Sequence, residues 1–359
     1  MDHAFAFEAG KKKGLINSLG EVIAEPAYDQ IGFFHQGHAP VRLNNLYGVI
    51  SDTGKLRIPE RYDEILLDGE ANLLFPVKKN NYWGFCTLDG AEQIPCVFDD
   101  ATPFHEGVAG VKIEGEAWRY IDEKGTVLFS SSKSNSDEPQ VFSCDRMLVE
   151  VVKGSEFEDG LYGYCDKSGG LVIESRFPFA ADRFYCNRAH VRSGGKFGVI
   201  ATDGRFVVEP KYARIWAYDQ SMAVAMLSES HWAVINDYGK ICFDHKGSDL
   251  SGPRHGYFRS SLSETKRGVL DLDGAVAVPH GQFQSFFWGD MLVASVRDEN
   301  NCFGCIDLRS RRQIVDCIYS HQVSFRGEIA LVPRTPNSGE KVWNYVNRDG
   351  IVVYTFKRA

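Results

Sequence analysis

The chain repeats itself. An aromatic-glycine pair occurs at Tyr47-Gly48, Trp83-Gly84, Tyr162-Gly163, Phe197-Gly198 and Phe303-Gly304. Weakened copies stand at Lys13-Gly14, Trp118-Arg119, Trp232-Ala233, Arg267-Gly268 and Trp343-Asn344. Measured at the second residue, successive copies are 34, 36, 35, 44, 35, 35, 35, 36 and 40 residues apart. A fixed period of this size marks repeat architectures, in which each copy is one supersecondary unit that buries its apolar face against its neighbours.

Other positions keep the same phase. A glycine follows six residues after the pair, at Gly20, Gly54, Gly90, Gly125, Gly169, Gly204, Gly239, Gly274 and Gly350, with Ser310 interrupting the series. Asp precedes it at Asp89, Asp203, Asp273 and Asp349, which reads as a hairpin turn capped by the aspartate. An apolar strand comes next, often carrying proline (Pro26, Pro59, Pro95, Pro210, Pro279). Then come an aromatic, often with Asp (Tyr28-Asp29, Tyr62-Asp63, Phe98-Asp99), and a third strand such as FHQGHAPV or FHEGVAGV. Such a unit holds three strands of about five residues plus connections. No segment carries a helical period beyond about two turns.

The expected fold class is therefore all-β, a single array over residues 1–359 of about ten tandem three-stranded repeats. The units begin near residues 13, 47, 83, 118, 162, 197, 232, 267, 303 and 343. The array is either a β-propeller-like ring or an open twisted β-array. HAFAFEAG, from His3 to Gly10, resembles the third strand of a unit, and the chain stops after the second strand of the tenth. An N-terminal strand completing the last unit would close a ring and remove a sheet edge. A polar loop, SSSKSNSDEPQ (residues 130–140), interrupts the array, and PRTPNSGEK from Pro333 to Lys341 is a milder insertion.

With the motifs laid out, the chain resembles the WG-repeat family of bacterial proteins. YWGFCTLDG, LYGVISDTG, KFGVIATDG, PAYDQIGFFHQGHAPV and FDDATPFHEGVAGV carry the resemblance, which runs from Gly14 to the end and weakens in the seventh and ninth units. It implies a β-rich repeat scaffold for interaction. The literal Trp-Gly dipeptide of the motif occurs once, at Trp83-Gly84.

Most residues with chemical potential are absorbed by the period. Cys86 and Cys165 fall where other units have Ile16, Ile50, Ile121, Ile200, Ile235, Leu270 and Ile306, the position of an apolar core residue. Cys302 and Cys305 form an isolated CxxC on a repeat strand, without the second pair that zinc sites use. His35 and His105 share one repeat position, which suits a structural role better than a catalytic one. There is no HExxH, P-loop, GxGxxG or GxSxG motif. No catalytic, metal or cofactor-binding residue is assigned, no cofactor is expected, and the chain is not expected to be an enzyme.

Charge and composition narrow the partner. A net charge of −8 argues against a phosphate-backbone binder, which needs a basic face, and suits a basic partner. No apolar run approaches the roughly 18 residues of a membrane span, so neither nucleic acid nor membrane is expected as a partner. The N-terminal basic cluster follows its short apolar stretch, the reverse of a secretory signal. Nine cysteines without framework spacing read as reduced thiols of a cytoplasmic protein.

Three aromatics stand outside the repeat and are the candidate partner-binding residues. Trp216 falls where other units have Gly32 or Thr102, and Tyr185 and Tyr218 flank related loops. The expected function is a non-catalytic protein-binding scaffold, with an immunity or antitoxin protein that sequesters a basic toxin domain as its concrete form. The alternatives are a carbohydrate-binding, lectin-like repeat module and an enzyme whose site is formed by several repeats.

Overall fold

The computed structural model describes residues 4–67, 74–131, 139–151, 160–216, 218–219, 221–288, 292–326, 328–333 and 342–357. Most of the inserted polar loop of residues 130–140, and of the stretch from Pro333 to Lys341, lies outside these residues. The described residues form strands and turns with no α-helix, in ten antiparallel sheets. Two compact units divide the chain, one of Met1–Ile65 with Arg254–Ala359 and the other of Leu66–Pro253.

Eight sheets have four strands and two have three, where the sequence leads to three throughout. The additional strand is two residues long in six of the eight, as at Gln30–Ile31, where it follows the aromatic-Asp position, and longer at Asp249–Arg254 and Ser285–Trp288. It pairs with the strand after it, His38–Leu43, which pairs with Leu46–Ser51, which pairs with Leu56–Tyr62. The third strand of each sequence repeat thus enters the sheet of the next repeat. We name each sheet by its motif residue, so this one is the Tyr47 sheet.

The motif glycine sets the shape of every sheet that has one. In the Trp83 sheet, Trp83 pairs with Phe98 and Phe85 with Ile94, so one intervening residue faces three, Pro95 to Val97. That bulge passes directly over Gly84. A methyl group built on the Gly84 Cα would lie 2.6 Å from both the Ile94 carbonyl oxygen and the Cys96 nitrogen. The same three-to-one excess appears across Gly14, Gly48, Gly163, Gly198 and Gly304, and across Gly268 four residues face one. The Trp118, Trp232 and Trp343 sheets have Arg119, Ala233 and Asn344 at this position. There the outer strand pairs residue for residue past it, with Ala233 opposite Asp244 and Asn344 opposite Thr355. A Cβ on the middle strand and a bulge over it exclude each other.

The turn glycines join sheet to sheet. Gly90 has φ 84°, the left-handed conformation that suits glycine. Within the Leu66–Pro253 unit, Gly125, Gly204 and Gly239 each abut the outer strand of the preceding sheet, at Ile94, Ile173 and Val208. Aspartate just before the glycine is not the main cap expected of it. The cap is the side chain three residues before: Asp122 accepts from the Lys124 and Thr126 amides, and Asn236 from those of Tyr238 and Lys240. Where that position is Ala201, Asp203 accepts from the Arg205 amide instead.

The Phe197 sheet buries both faces. Val199, Val208 and Tyr212 of the Phe197 sheet pack on Ile215, Ala223, Ala225, Ala233 and Ile235 of the Trp232 sheet. The other face of the Phe197 sheet, Ala189, Val191 and Ile200, packs on Tyr164, Ile173 and Phe177.

In the Met1–Ile65 and Arg254–Ala359 unit, the two ends of the chain meet in the same way. Phe5, Phe7 and Ile16 of the first sheet pack on Ile329, Tyr345 and Phe356 of the last. Tyr345 Oη donates to the Ala6 carbonyl at 2.6 Å, and Gly20 abuts the Val353 carbonyl as Gly54 abuts that of Ile23. The strand Phe5–Ala9 pairs with Lys12–Ile16 and supplies the strand missing from the tenth repeat, one sheet further on. The contact from last sheet to first is one more step of the array.

Gly198→Ala should cost about 1–3 kcal/mol, because a methyl group 2.6 Å from the Val208 oxygen forces the bulge away. Ala233→Gly, in a sheet without a bulge, should cost the entropic penalty and one buried methyl, together roughly 1–2 kcal/mol. Urea unfolding measures both, and an unchanged midpoint for Gly198→Ala would dismiss close approach as the cause.

Candidate functional site

The surface with the most built-in order among the described residues is a row of two-residue turns in the Leu66–Pro253 unit. Each leads into the first long strand of its sheet, from the short strand where the sheet has one. Before each turn stands a core aromatic, Phe104, Phe142, Phe184 or Tyr218, and all four are buried. At the third, Tyr185 N donates to the Arg188 carbonyl and Arg188 N to the Tyr185 carbonyl, at 2.8 and 2.9 Å. Cys186 and Asn187 between them have φ 50° and 61°, the paired left-handed conformation of a type I′ turn. His105–Val108 and Ser143–Arg146 repeat the arrangement.

Side chains bolt these turns together. The Glu106 carboxylate accepts from the Cys144 and Asp145 amides at 2.6 and 2.8 Å, and Lys167 pairs with both Glu106 and Asp145. Ser143 Oγ donates to the Phe184 carbonyl. Arg146 Nε donates to the Thr202 carbonyl and Arg188 Nε to that of Asp237, which ties each turn to the hairpin of the following sheet. Both arginines also donate to carbonyls within their own turns, at Asp145 and Asn187. Sequence reasoning missed these residues, although Arg146 and Arg188 hold one repeat position and could have been found by it.

The three aromatics chosen from sequence do not converge. Tyr185 is 40% exposed and sits on the row at the position of His35, His105, Ser143 and Asp219. Tyr218 is buried; its Oη donates to the Asn236 carbonyl, and burial pushes its phenol above the ordinary range. It is the core aromatic of its turn, equivalent to Phe184, and is corrected from a surface candidate to a framework residue. Trp216 is half-buried against Trp232, with ring centroids 5.3 Å apart and the Arg214 guanidinium over its ring. It has a counterpart after all: Phe287 takes the same position in the Phe303 sheet and packs on Phe303. Trp216 is a surface-edge residue of its own sheet, away from the row.

The cysteines bear out the structural reading. Cys86 and Cys165 are buried at the isoleucine position. Cys305 is buried, and its thiol is pushed up to about 12 chiefly by that burial; it donates to the Val323 carbonyl. Cys165 is pushed up to about 11 in the same way. His190 stacks on Phe179, and burial lowers it to about 4, so its imidazole is neutral near pH 7. No cluster of three or more metal-ligating side chains occurs among the described residues. No helix among them is long and apolar enough to cross a membrane.

The profile of the WG containing repeat matches five segments, residues 14–47, 47–83, 83–116, 162–197 and 197–228. The chain belongs to the WG-repeat family. The matched segments all begin at a motif glycine or its aromatic, and the Trp118 and Trp232 units, which lack the glycine, are not among them. Among solved structures, this WG-repeat chain is similar to a crystal structure of the eukaryotic initiation factor, at 11% identity and a TM-score of 0.52, covering 100% of this chain and 96% of that one. It also aligns with the computationally designed Ika8 protein, at 12% identity and a TM-score of 0.42, over 98% of each chain. At such identity the first likeness concerns fold alone. No curated protein matches the sequence.

Iodoacetamide at mildly alkaline pH should label exposed Cys186 and Cys242 first. Cys86, Cys165 and Cys305 should react only after unfolding, since thiolates, not thiols, are alkylated. Peptide mass spectrometry reads the order, and early labelling of Cys305 would contradict its place in the core.

Proposed function

We propose that this WG-repeat chain is a non-catalytic protein-binding scaffold, with the row of bolted turns in the Leu66–Pro253 unit as its interface. One observation carries the reading: exposed Tyr185 stands on a turn whose backbone is fixed by its own paired bonds and by Arg188. A large aromatic held on a rigid support is the kind of group that anchors interfaces, because little conformational freedom is lost when it is covered. Repeat proteins present such surfaces as rows, with variation at equivalent positions supplying specificity. Here the position of Tyr185 is taken by His105, Ser143 and Asp219 in neighbouring turns.

Charge favours a basic partner. The chain carries −8 overall, Asp145, Asp182 and Asp219 are exposed on or beside the row, and the guanidinium groups of Arg146 and Arg188 are spent on carbonyl oxygens. The concrete form of the proposal is a cytoplasmic immunity or antitoxin protein that sequesters a basic toxin domain. That form rests on the charge and the scaffold.

The test is a titration against the purified basic protein encoded by the adjacent gene, at low and high salt. Binding should weaken with salt, and Tyr185→Ala should weaken it by about tenfold or more, roughly 1.4 kcal/mol. Asp219→Lys should weaken it mainly through the association rate. Absence of a complex, or a complex indifferent to both substitutions, overturns the assignment of this surface.

A further inference from the structure

Sheet edges offer unpaired main-chain groups, and proteins blunt them with bulges and prolines. In the Leu66–Pro253 unit the bulge of the Trp83 sheet carries Pro95 and that of the Phe197 sheet carries Pro210. The outer strand of the Trp232 sheet, Ile241–Lys246, has no proline, and its one register shift lies at Cys242, so it is regular from Phe243 to Lys246. Because Ala233 replaces the motif glycine, this strand runs straight past it, with Phe243, Asp244, His245 and Lys246 opposite Val234, Ala233, Trp232 and His231. It stands last in its sheet. Ile241, Cys242, Asp244 and Lys246 are exposed.

The direction of its free groups follows from one bond. Gly247 N donates to the Ser230 carbonyl, so residues 243, 245 and 247 turn their main-chain groups inward. Asp244 and Lys246 therefore turn theirs outward.

We propose that two copies of the chain pair through this edge, antiparallel about a two-fold axis, with Asp244 of each opposite Lys246 of the other. A two-fold contact must be self-complementary, and outward-facing residues must pair with outward-facing residues. Past the irregularity at Cys242, two registers that pair Asp244 with an outward-facing residue satisfy both conditions. One sets Asp244 against Asp244, which places like charges opposite each other and is destabilising. The other sets Asp244 against Lys246 twice over. Charge selects the second. Asp244 also accepts from His231 Nε2 at 2.8 Å, which orients it, while its side chain remains 58% exposed. The occupant is a second copy because the strand carries its own complement, and this edge is separate from the Tyr185 row.

Sedimentation velocity over a broad concentration range tests the proposal on the full chain. The wild-type chain should show a monomer–dimer equilibrium that weakens with salt. Asp244→Lys and Lys246→Asp should each raise the dimer dissociation constant by about tenfold or more, and the double reversal should return it to near wild type. The decisive arm is a mixture of the two single variants. Asp244→Lys leaves two lysines facing outward on its edge, and Lys246→Asp leaves two aspartates at the same positions. Each lysine of the first variant would meet an aspartate of the second, so a heterodimer should form where neither variant pairs alone. Circular dichroism confirms that each variant is folded. A wild-type chain that stays monomeric throughout, a dimer unaffected by the single reversals, or a mixture that stays monomeric would overturn the proposal.

Discussion

Seven of the described sheets take their shape from a steric exclusion between one missing Cβ and one crossing backbone. At Gly84 and its equivalents the outer strand swells over the middle strand, at Gly84 within 2.6 Å of where a side chain would begin. This explains why the second letter of the motif outranks the first. Lys13-Gly14 and Arg267-Gly268 have lost the aromatic and keep the bulge, whereas Trp118-Arg119, Trp232-Ala233 and Trp343-Asn344 keep the tryptophan and lose it. The bulge in turn twists the outer strand and interrupts its edge ladder. The presence or absence of this glycine thus decides both how a sheet is shaped and how it meets solvent.

The turn glycine makes the second recurring contact. At Gly125, Gly204 and Gly239 it presses the hairpin tip against the sheet before, and the apolar faces beside it interdigitate. Gly20 makes the same contact with Val353, across nearly the whole length of the sequence. The row of leading turns is fastened by another means, since Glu106, Arg146 and Arg188 reach from one turn or hairpin to the next. Packing holds the sheets and polar bonds hold the turns, so a surface residue such as Tyr185 inherits its rigidity from both.

What could be read from the sequence was whatever recurs with one residue type. The period, the all-β class and the core role of Cys86 and Cys165 followed from alignment on the motif pair, and the structure agrees. The short fourth strand could not be read, because two residues such as Gln30–Ile31 carry no alternation. The turn caps were misplaced because Asn17, Ser51, Asp122, Asp166 and Asn236 share a side-chain oxygen rather than a letter. Tyr218 was chosen because it flanks a loop related to that of Tyr185; counted from its own turn, it falls in line with buried Phe104 and Phe184. The bolts of the row were invisible for a plainer reason, since Glu106 acts on amides 38 and 39 residues away.

The offset between repeat and sheet has an evolutionary corollary. Each sequence repeat begins in one sheet and ends in the next, so every repeat is stitched covalently into two layers of the protein. Loss or duplication of one full period, cut at any phase, leaves strands that still find partners of the right kind. Lengths that are not whole periods would strand a hairpin half. Copy number can therefore change in the gene without a new fold being invented, while the meeting of Phe5 and Tyr345 penalises any count at which the two ends no longer fit.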